Sequence, residues 1–287
     1  MKKFIFSAIL SIGFLLINAQ EDPYKATGTL LFHEYVEAKE AFVLVSDANL
    51  RDKPSTKATV VAQLPIATKV QILERTTDSL TLNGFRAPWF KVEANGKVGY
   101  LWSGILTTVA IASQEQSTDG IMFLGGISSY NEKDYKLTLQ VRAAKDGKEL
   151  AKLEFPSVAD LGYEMSISLK GGIFENVKQV LSVEATFGAC DYAQGDYLVF
   201  FTEGGKLVKQ LETISSSSAG AGYASETYLL PSDKGGITGH VLVTDDMAAT
   251  EEVTKKNGEV DFKVKDQKLK ITLHRWTGAK LEKVFSR

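Results

Sequence analysis

Ala48-Asn49-Leu50-Arg51-Asp52-Lys53-Pro54-Ser55-Thr56 opens the stretch 48–106, whose reading decides the fold. It runs on through Val60-Val61-Ala62-Gln63-Leu64-Pro65 and Thr68-Lys69-Val70-Gln71-Ile72-Leu73. It closes with Pro88-Trp89-Phe90-Lys91-Val92, Asn95-Gly96-Lys97-Val98-Gly99-Tyr100 and Ile105-Leu106. Phe42–Val45, Val60–Leu64, Lys69–Leu73, Trp89–Glu93 and Lys97–Leu101 alternate or run apolar between turn residues, which is the pattern of short strands. Asn95-Gly96 between the last two predicts a hairpin, because a type I′ turn needs positive φ at both central residues. Strands this short close most economically into a small barrel, which leaves few open edges.

Outward from this unit, the chain of 287 residues has room for about two domains at ~100–200 residues each. With 44% hydrophobic and 24% charged residues it has the composition of a folded protein rather than a disordered one. Residues 1–19 read as a secretory signal peptide. Lys2 and Lys3 precede the apolar run Phe4–Ile17, and Ile17-Asn18-Ala19 offers a cleavage site. That run is shorter than the ~20 residues needed to span a bilayer. No later stretch approaches a membrane span, so a soluble mature protein is expected. The formal net charge is −2, and loss of Lys2 and Lys3 makes it −4, which gives no ground for nucleic-acid binding. The single cysteine, Cys190, allows no intrachain disulfide, so packing alone must hold the fold.

The boundaries expected are a lead-in over 20–40, the barrel over 41–110, a polar linker over 111–120 and a second, β-rich domain over 121–287. Thr29–Val36 in the lead-in reads as a short strand or a segment packing on the next domain. In the second domain Leu137–Val141, Met165–Leu169, Leu181–Ala185, Tyr197–Phe201, Leu207–Leu211, Val241–Thr244 and Leu269–Leu273 all read as strands. Three hairpins share a strand, a Gly-bearing turn, a Lys and an apolar return: Val141–Leu153, Phe200–Lys209 and Arg275–Lys283. The fold class is therefore all-β, a small barrel followed by a larger antiparallel domain, either a sandwich or a sheet of repeated hairpins. Ser215–Gly222 reads as a flexible surface loop.

Chemistry is sparse. His33, His240 and His274 are the three histidines, and no spacing pairs them or Cys190 as zinc ligands. Cys190 is followed by Asp191, whose carboxylate raises a thiol pKa rather than lowering it, so a structural thiol is the better reading. No serine-nucleophile elbow or phosphate-cradling loop is present. Asp191 and Asp196, or Asp245-Asp246, lack the alternating oxygen ligands of a calcium loop. No metal, no cofactor and no catalytic residue is assigned.

The Asn-Leu-Arg opening, the Pro-Ser turn, Thr-Lys-Val, Trp-Phe-Lys-Val, Asn-Gly-Lys-Val-Gly-Tyr and Ile-Leu occur here in the order of bacterial SH3-like (SH3b) domains, which residues 42–108 closely resemble. The resemblance implies a barrel similar to eukaryotic SH3 domains. It also implies an exported protein tethered to peptidoglycan or bound to an envelope protein. The leader resembles those of Gram-negative exported proteins, implying a periplasmic or extracellular location. Leu50, Val70, Ile72, Val92 and Leu106 are the expected core, and Gly99 a tight backbone position. Trp89 and Tyr100 read first as core or half-buried positions and Arg51 as a brace of the barrel, and all three are also candidate ligand contacts. Trp102 is turned outward by alternation and offers an exposed indole for stacking. Phe85 and Arg86, in an expected loop over 74–87, frame the same groove.

These residues lead to a non-enzymatic exported binder of a peptidoglycan fragment or an extended peptide. The alternative is an envelope hydrolase with its active site in the second domain. A third arrangement is that of a structural or assembly protein in which the barrel packs on its own C-terminal half and buries Trp102 between them.

Overall fold

The computed structural model describes residues 25–29, 40–113, 118–158, 163–171, 174–187, 192–218 and 221–287. The signal-peptide segment, Leu30–Val36, His33, Cys190 and Asp191 lie outside these residues. In chain order the strands begin with β1 (Lys25–Thr29), β2 (Glu40–Val43), β3 (Ala48–Arg51), β4 (Val60–Leu64) and β5 (Lys69–Leu82). There follow β6 (Phe85–Ala94), β7 (Lys97–Trp102), a 3₁₀ turn at Ser103–Ile105, β8 (Leu106–Thr107) and β9 (Ala110–Ala112). The remainder is β10 (Met122–Asn131), β11 (Lys136–Lys145), β12 (Lys148–Ser157), β13 (Glu164–Lys170), β14 (Val177–Thr186), β15 (Gln194–Thr202), β16 (Leu207–Ser218), β17 (Gly222–Leu229), β18 (His240–Thr254), β19 (Val260–Trp276) and β20 (Leu281–Ser286). No α-helix occurs among the described residues, as the all-β reading requires.

β2 to β8 form one curled, partly open barrel sheet in the order β4-β3-β7-β6-β5-β2-β8. Its interior holds Leu50, Val70, Phe90, Val92, Leu101 and Leu106, with Ile72 half-buried against them. Gly99 is the tight position expected, since a Cβ there would lie 2.7 Å from the Arg51 carbonyl oxygen and from Leu50 Cγ. Asn95 and Gly96 turn with φ of 51° and 73°, the type I′ hairpin.

The second half contains two sheets. A four-stranded one runs β12-β11-β10-β9, and a nine-stranded one runs β1-β13-β14-β15-β16-β17-β18-β19-β20. They pack as a sandwich through Phe123, Leu139 and Val141 on one side and Ile167, Val183, Val199 and Phe201 on the other. Phe123 and Phe201 meet edge to face, with centroids 5.6 Å apart. Beyond β16 the large sheet continues as a meander of antiparallel strands. The three Gly-bearing hairpins are β11–β12, β15–β16 and β19–β20. Val180, Leu198 and Phe200, on the back of β14 and β15, pack with Leu230 and Val241 in a second core.

The molecule is layered rather than strung on a linker. β9 occupies Ala110–Ala112, running from the end of the expected barrel into the expected linker, and pairs with β10. Thr118 is buried and hydrogen-bonded to Ser113. β1, from the lead-in, pairs with β13 of the large sheet and not with the barrel. The consecutive glycines of β10 show the layers: a Cβ on Gly125 would meet Met165 Cε at 2.5 Å in the large sheet. One on Gly126 would meet Leu44 Cδ2 of the barrel at 2.7 Å. Two of the sequence expectations need correction. Residues 74–87 do not form a loop: β5 and β6 continue as a long hairpin turning at Asn83-Gly84, with φ of 53° and 82°. Ser215–Ser218 and Gly222 belong to paired strands β16 and β17 rather than to a surface loop.

Candidate functional site

Alternation turns Trp102 out of the barrel, as expected, but not into solvent. Its side of β7 is covered, and the residue is 4% exposed. The indole N–H donates to the carbonyls of Leu80 (3.1 Å) and Ala87 (3.0 Å). Its ring stacks on Phe85 at 5.3 Å and lies over Gly104, where a Cβ would come within 2.3 Å of it. Trp89 is the cross-strand partner of Trp102, and both Phe85 and Trp89 are buried too. The aromatic face of the barrel is continuous with the sandwich core that contains Ile127 and Leu137. The exposed stacking groove expected from Trp102 and Phe85 is therefore absent, while Trp89 is buried as its core reading has it. The physical reason is that this apolar surface buries itself against the C-terminal half instead of waiting for a ligand. That is the third arrangement raised by the sequence.

Tyr100 is half-buried at the margin of the same cluster. Arg51 is its cross-strand neighbour, and its Nη1 donates to the Ala58 carbonyl at 2.6 Å, so this guanidinium braces the β3–β4 loop.

Arg86 lies in different surroundings. It is exposed on β6, beside a wide bulge in β5. Between the pairs Arg75–Phe90 and Ser79–Pro88, four steps along β5 face two along β6. Pro88 has no N–H to give a ladder and suits such an interruption. Thr76 Oγ1 fastens the bulge by donating to the Trp89 carbonyl at 3.0 Å, and Arg86 Nε donates to Ser79 Oγ at 2.7 Å. The bulge frames a hollow of about 490 Å³ lined by Arg75, Thr76, Thr77, Ser79, Arg86 and Pro88. Two guanidinium groups beside three hydroxyls suit a carboxylate or another anion, since arginine pairs with such groups in bidentate geometry. Arg75, Thr76, Thr77 and Ser79 were not singled out by sequence. The polar run Arg75–Ser79 facing a proline in the opposite strand is the signal that marks them.

Among the described residues, two other hollows lie away from this cleft. One of about 920 Å³ lies on the thin part of the large sheet, lined by Ser216–Ser218, Gly222, Tyr223, Met247, Asp266 and Gln267 among others. Another, of about 340 Å³, lies between Pro65–Thr68 of the barrel and the turn at Lys145–Gly147. None of the three contains a histidine, and none brings two carboxylates together. His240 Nδ1 is paired with the Thr238 carbonyl, and His274 has its pKa lowered by burial and by Lys283. Among the described residues no three His, Cys, Asp or Glu side chains form a metal-binding group.

One buried polar cluster lies behind the sandwich. Asp196 Oδ1 accepts hydrogen bonds from Ser182 Oγ (2.9 Å) and the Tyr228 hydroxyl (3.1 Å). Burial outweighs those bonds and pushes its pKa up to about 6. Nearby, burial pushes Glu184 up, yet the ion pair with Lys25 and the bond from Ser166 leave its pKa lowered overall. The cluster ties β1, β13, β14, β15 and β17 together and opens into none of the three hollows.

Residues 46–107 match the family model described as bacterial SH3 domain, and the rest of the chain matches no family model. No curated protein and no solved structure matches the chain. Among the described residues no helix is long and apolar enough to cross a membrane.

Proposed function

We propose, from the premise that residues 46–107 are a bacterial SH3 domain, that this chain is an exported, non-enzymatic binder of the cell envelope. Its recognition surface is the bulge cleft of β5 and β6, not the aromatic face. The cleft takes a carboxylate-bearing ligand, for which the peptide stem of peptidoglycan or the acidic end of an envelope peptide has the right chemistry. The observation that carries this reading is the convergence of Arg75 and Arg86 on one hollow with Thr76, Thr77 and Ser79, lined by residues of β5 and β6 alone. The leader-like residues 1–19 support export. The C-terminal sandwich acts as a rigid mount, because it shares its core with the domain.

The test is co-sedimentation of the protein with purified peptidoglycan, wild type beside Arg86→Ala. A charge-assisted hydrogen bond contributes about 1.5–3 kcal/mol, so the variant should bind roughly 10–100-fold more weakly, and wild-type binding should fall with added salt. Failure of the folded wild type to sediment removes the wall ligand. Undiminished binding by Arg86→Ala removes the cleft.

A further inference from the structure

β18 and β19 outrun their neighbours. β17 pairs with β18 only as far as Ala249, and β20 pairs with β19 only from Thr272 onward. The tips, Thr250–Thr254 and Val260–Val264, are therefore a two-stranded ribbon projecting from the sheet. An isolated two-stranded ribbon is marginal in water. This one also carries an apolar stripe on a single face: Val260 is 53%, Phe262 48% and Val264 56% exposed. Along β19 every residue from Val260 to Lys270 is exposed, and no strand among the described residues pairs with that outer edge before Thr272. The Phe262 N–H donates to the carboxylate of its own neighbour, Asp261 Oδ1, at 2.9 Å, a side-chain substitute for a strand partner.

The charge order along this edge restricts what can pair with it. The sequence Glu259-Val260-Asp261-Phe262-Lys263-Val264-Lys265 is acidic before Phe262, basic after it and symmetric in its apolar positions. A parallel, in-register neighbour would set Asp261 on Asp261 and Lys263 on Lys263, and like charges directly opposite each other are destabilising. An antiparallel copy with its two-fold axis at Phe262 sets Asp261 opposite Lys263 twice, with Glu259 in the turn before β19 and Lys265 at the bulge flanking this register. It also sets Val260 opposite Val264 twice, and Phe262 opposite itself. Val260, Phe262 and Val264 of both chains then form one apolar stripe. On the other face each Lys263 lies between its own cross-strand neighbour Glu251 and the Asp261 of the second copy. The Phe262 N–H exchanges its side-chain substitute for a ladder bond.

We propose that the outer edge of β19 pairs with the same edge of a second copy of this chain, antiparallel about Phe262, to form a two-fold dimer. The contact is isologous, as a two-fold interface must be. Its area is that of one strand pair, at the low end of specific interfaces, so the dimer is weak and concentration-dependent.

Sedimentation velocity over a concentration series tests this with two charge variants. Lys263→Asp sets carboxylate against carboxylate in both pairs across the axis, and Asp261→Lys sets ammonium against ammonium. Each variant alone should dissociate at about tenfold or more higher concentration than wild type. An equimolar mixture of the two relieves both repulsions, since one chain then brings only carboxylates to these positions and the other only ammonium groups. The mixture should recover the dimer as a heterodimer, which no folding defect can mimic. As a second reading, Phe262→Cys in a Cys190→Ala background should form an intermolecular disulfide on mild oxidation with copper phenanthroline. Val260→Cys should cross-link to Val264→Cys rather than to itself. A wild type that stays monomeric up to hundreds of micromolar overturns the proposal. So does a dimer that neither charge variant weakens, or a mixture that recovers nothing.

Discussion

The backbone N–H of Tyr130 donates to the carbonyl of Asn83 at 2.9 Å, fastening the tip of the β5–β6 hairpin to strand β10 of the sandwich. Gly84 beside it has φ of +82°, and a Cβ there would lie 1.7 Å from the Tyr130 carbonyl oxygen. Gly96, at the tip of the neighbouring β6–β7 hairpin, has φ of +73° with nothing within 4 Å of a Cβ. Gly96→Ala should therefore cost only the left-handed backbone term, ~1–2 kcal/mol. Gly84→Ala should cost that and a displaced hairpin tip, in total roughly 3 kcal/mol or more. Denaturant unfolding of the two variants side by side isolates the docking contribution. Equal losses would mean that the hairpin tip does not rest on β10.

Trp102→Ala should be among the most destabilising changes in the barrel, by ~3–5 kcal/mol, because it empties a buried indole site shared with Phe85. Trp102→Phe retains most of the packing but leaves the Leu80 and Ala87 carbonyls without the indole donor, and should cost ~1–3 kcal/mol. Thermal unfolding measures both. A Trp102→Ala protein as stable as wild type would restore the exposed-groove reading.

The fate of Trp102 shows what alternation along a strand carries and what it does not. It separates two faces correctly, and Leu101 and Trp102 do point opposite ways. It does not say what covers each face, and here the outer face of the barrel is the inner face of a larger core. The strands buried on both faces, such as Met165–Leu169 and Tyr197–Phe201, were legible because apolar side chains repeat in them. Ser215–Ser218 was not, because that part of the large sheet has little core to bury and so needs no apolar alternation. Asn83-Gly84 carries the same turn signature as Asn95-Gly96. The polar bulge Thr76–Asp78 breaks the pattern just before it and makes the whole segment read as loop. Of the candidate site, Arg86 was named from sequence, but as part of a loop framing the Trp102 groove rather than as a residue of β6. Its partner Arg75 was not, since only the bulge register brings the two to one hollow.

The contact between Gly126 and Leu44 gives a third prediction. A methyl on Gly126 would press within 2.7 Å of Leu44 Cδ2, and Leu44 is 1% exposed, so it has little room to move. Gly126→Ala should destabilise by ~1–3 kcal/mol through overpacking between barrel and sandwich. In a Leu44→Ala background the same change should cost less, with a coupling of ~0.5–3 kcal/mol from the double-mutant cycle. Strict additivity would separate the two layers.

Asp196 gives the pH dependence. Its pKa is raised by burial from 3.8 to about 6, so the folded state holds this proton more tightly than the unfolded chain does. The stabilisation from that protonation is fully present below the unfolded value near 4 and is lost as pH rises through about 6. At about 1.4 kcal/mol per pH unit the loss is at most ~3 kcal/mol. Glu184 works with the opposite sign, since its lowered pKa removes stability as pH falls below its ordinary value of 4.5, so the informative window is pH 5 to 7.5. Across that window wild-type stability should decline. Asp196→Asn stays neutral and retains an oxygen for both Ser182 and Tyr228, whose bonds converge on Oδ1. It should show a flatter profile and be more stable than wild type at pH 7.5 by ~1–3 kcal/mol. Urea unfolding at half-unit pH steps reads this directly. If the variant follows the wild-type slope, the titrating group is not Asp196, and if it is less stable at pH 7.5, the ionised carboxylate is the form the Ser182 and Tyr228 hydroxyls were built to hold.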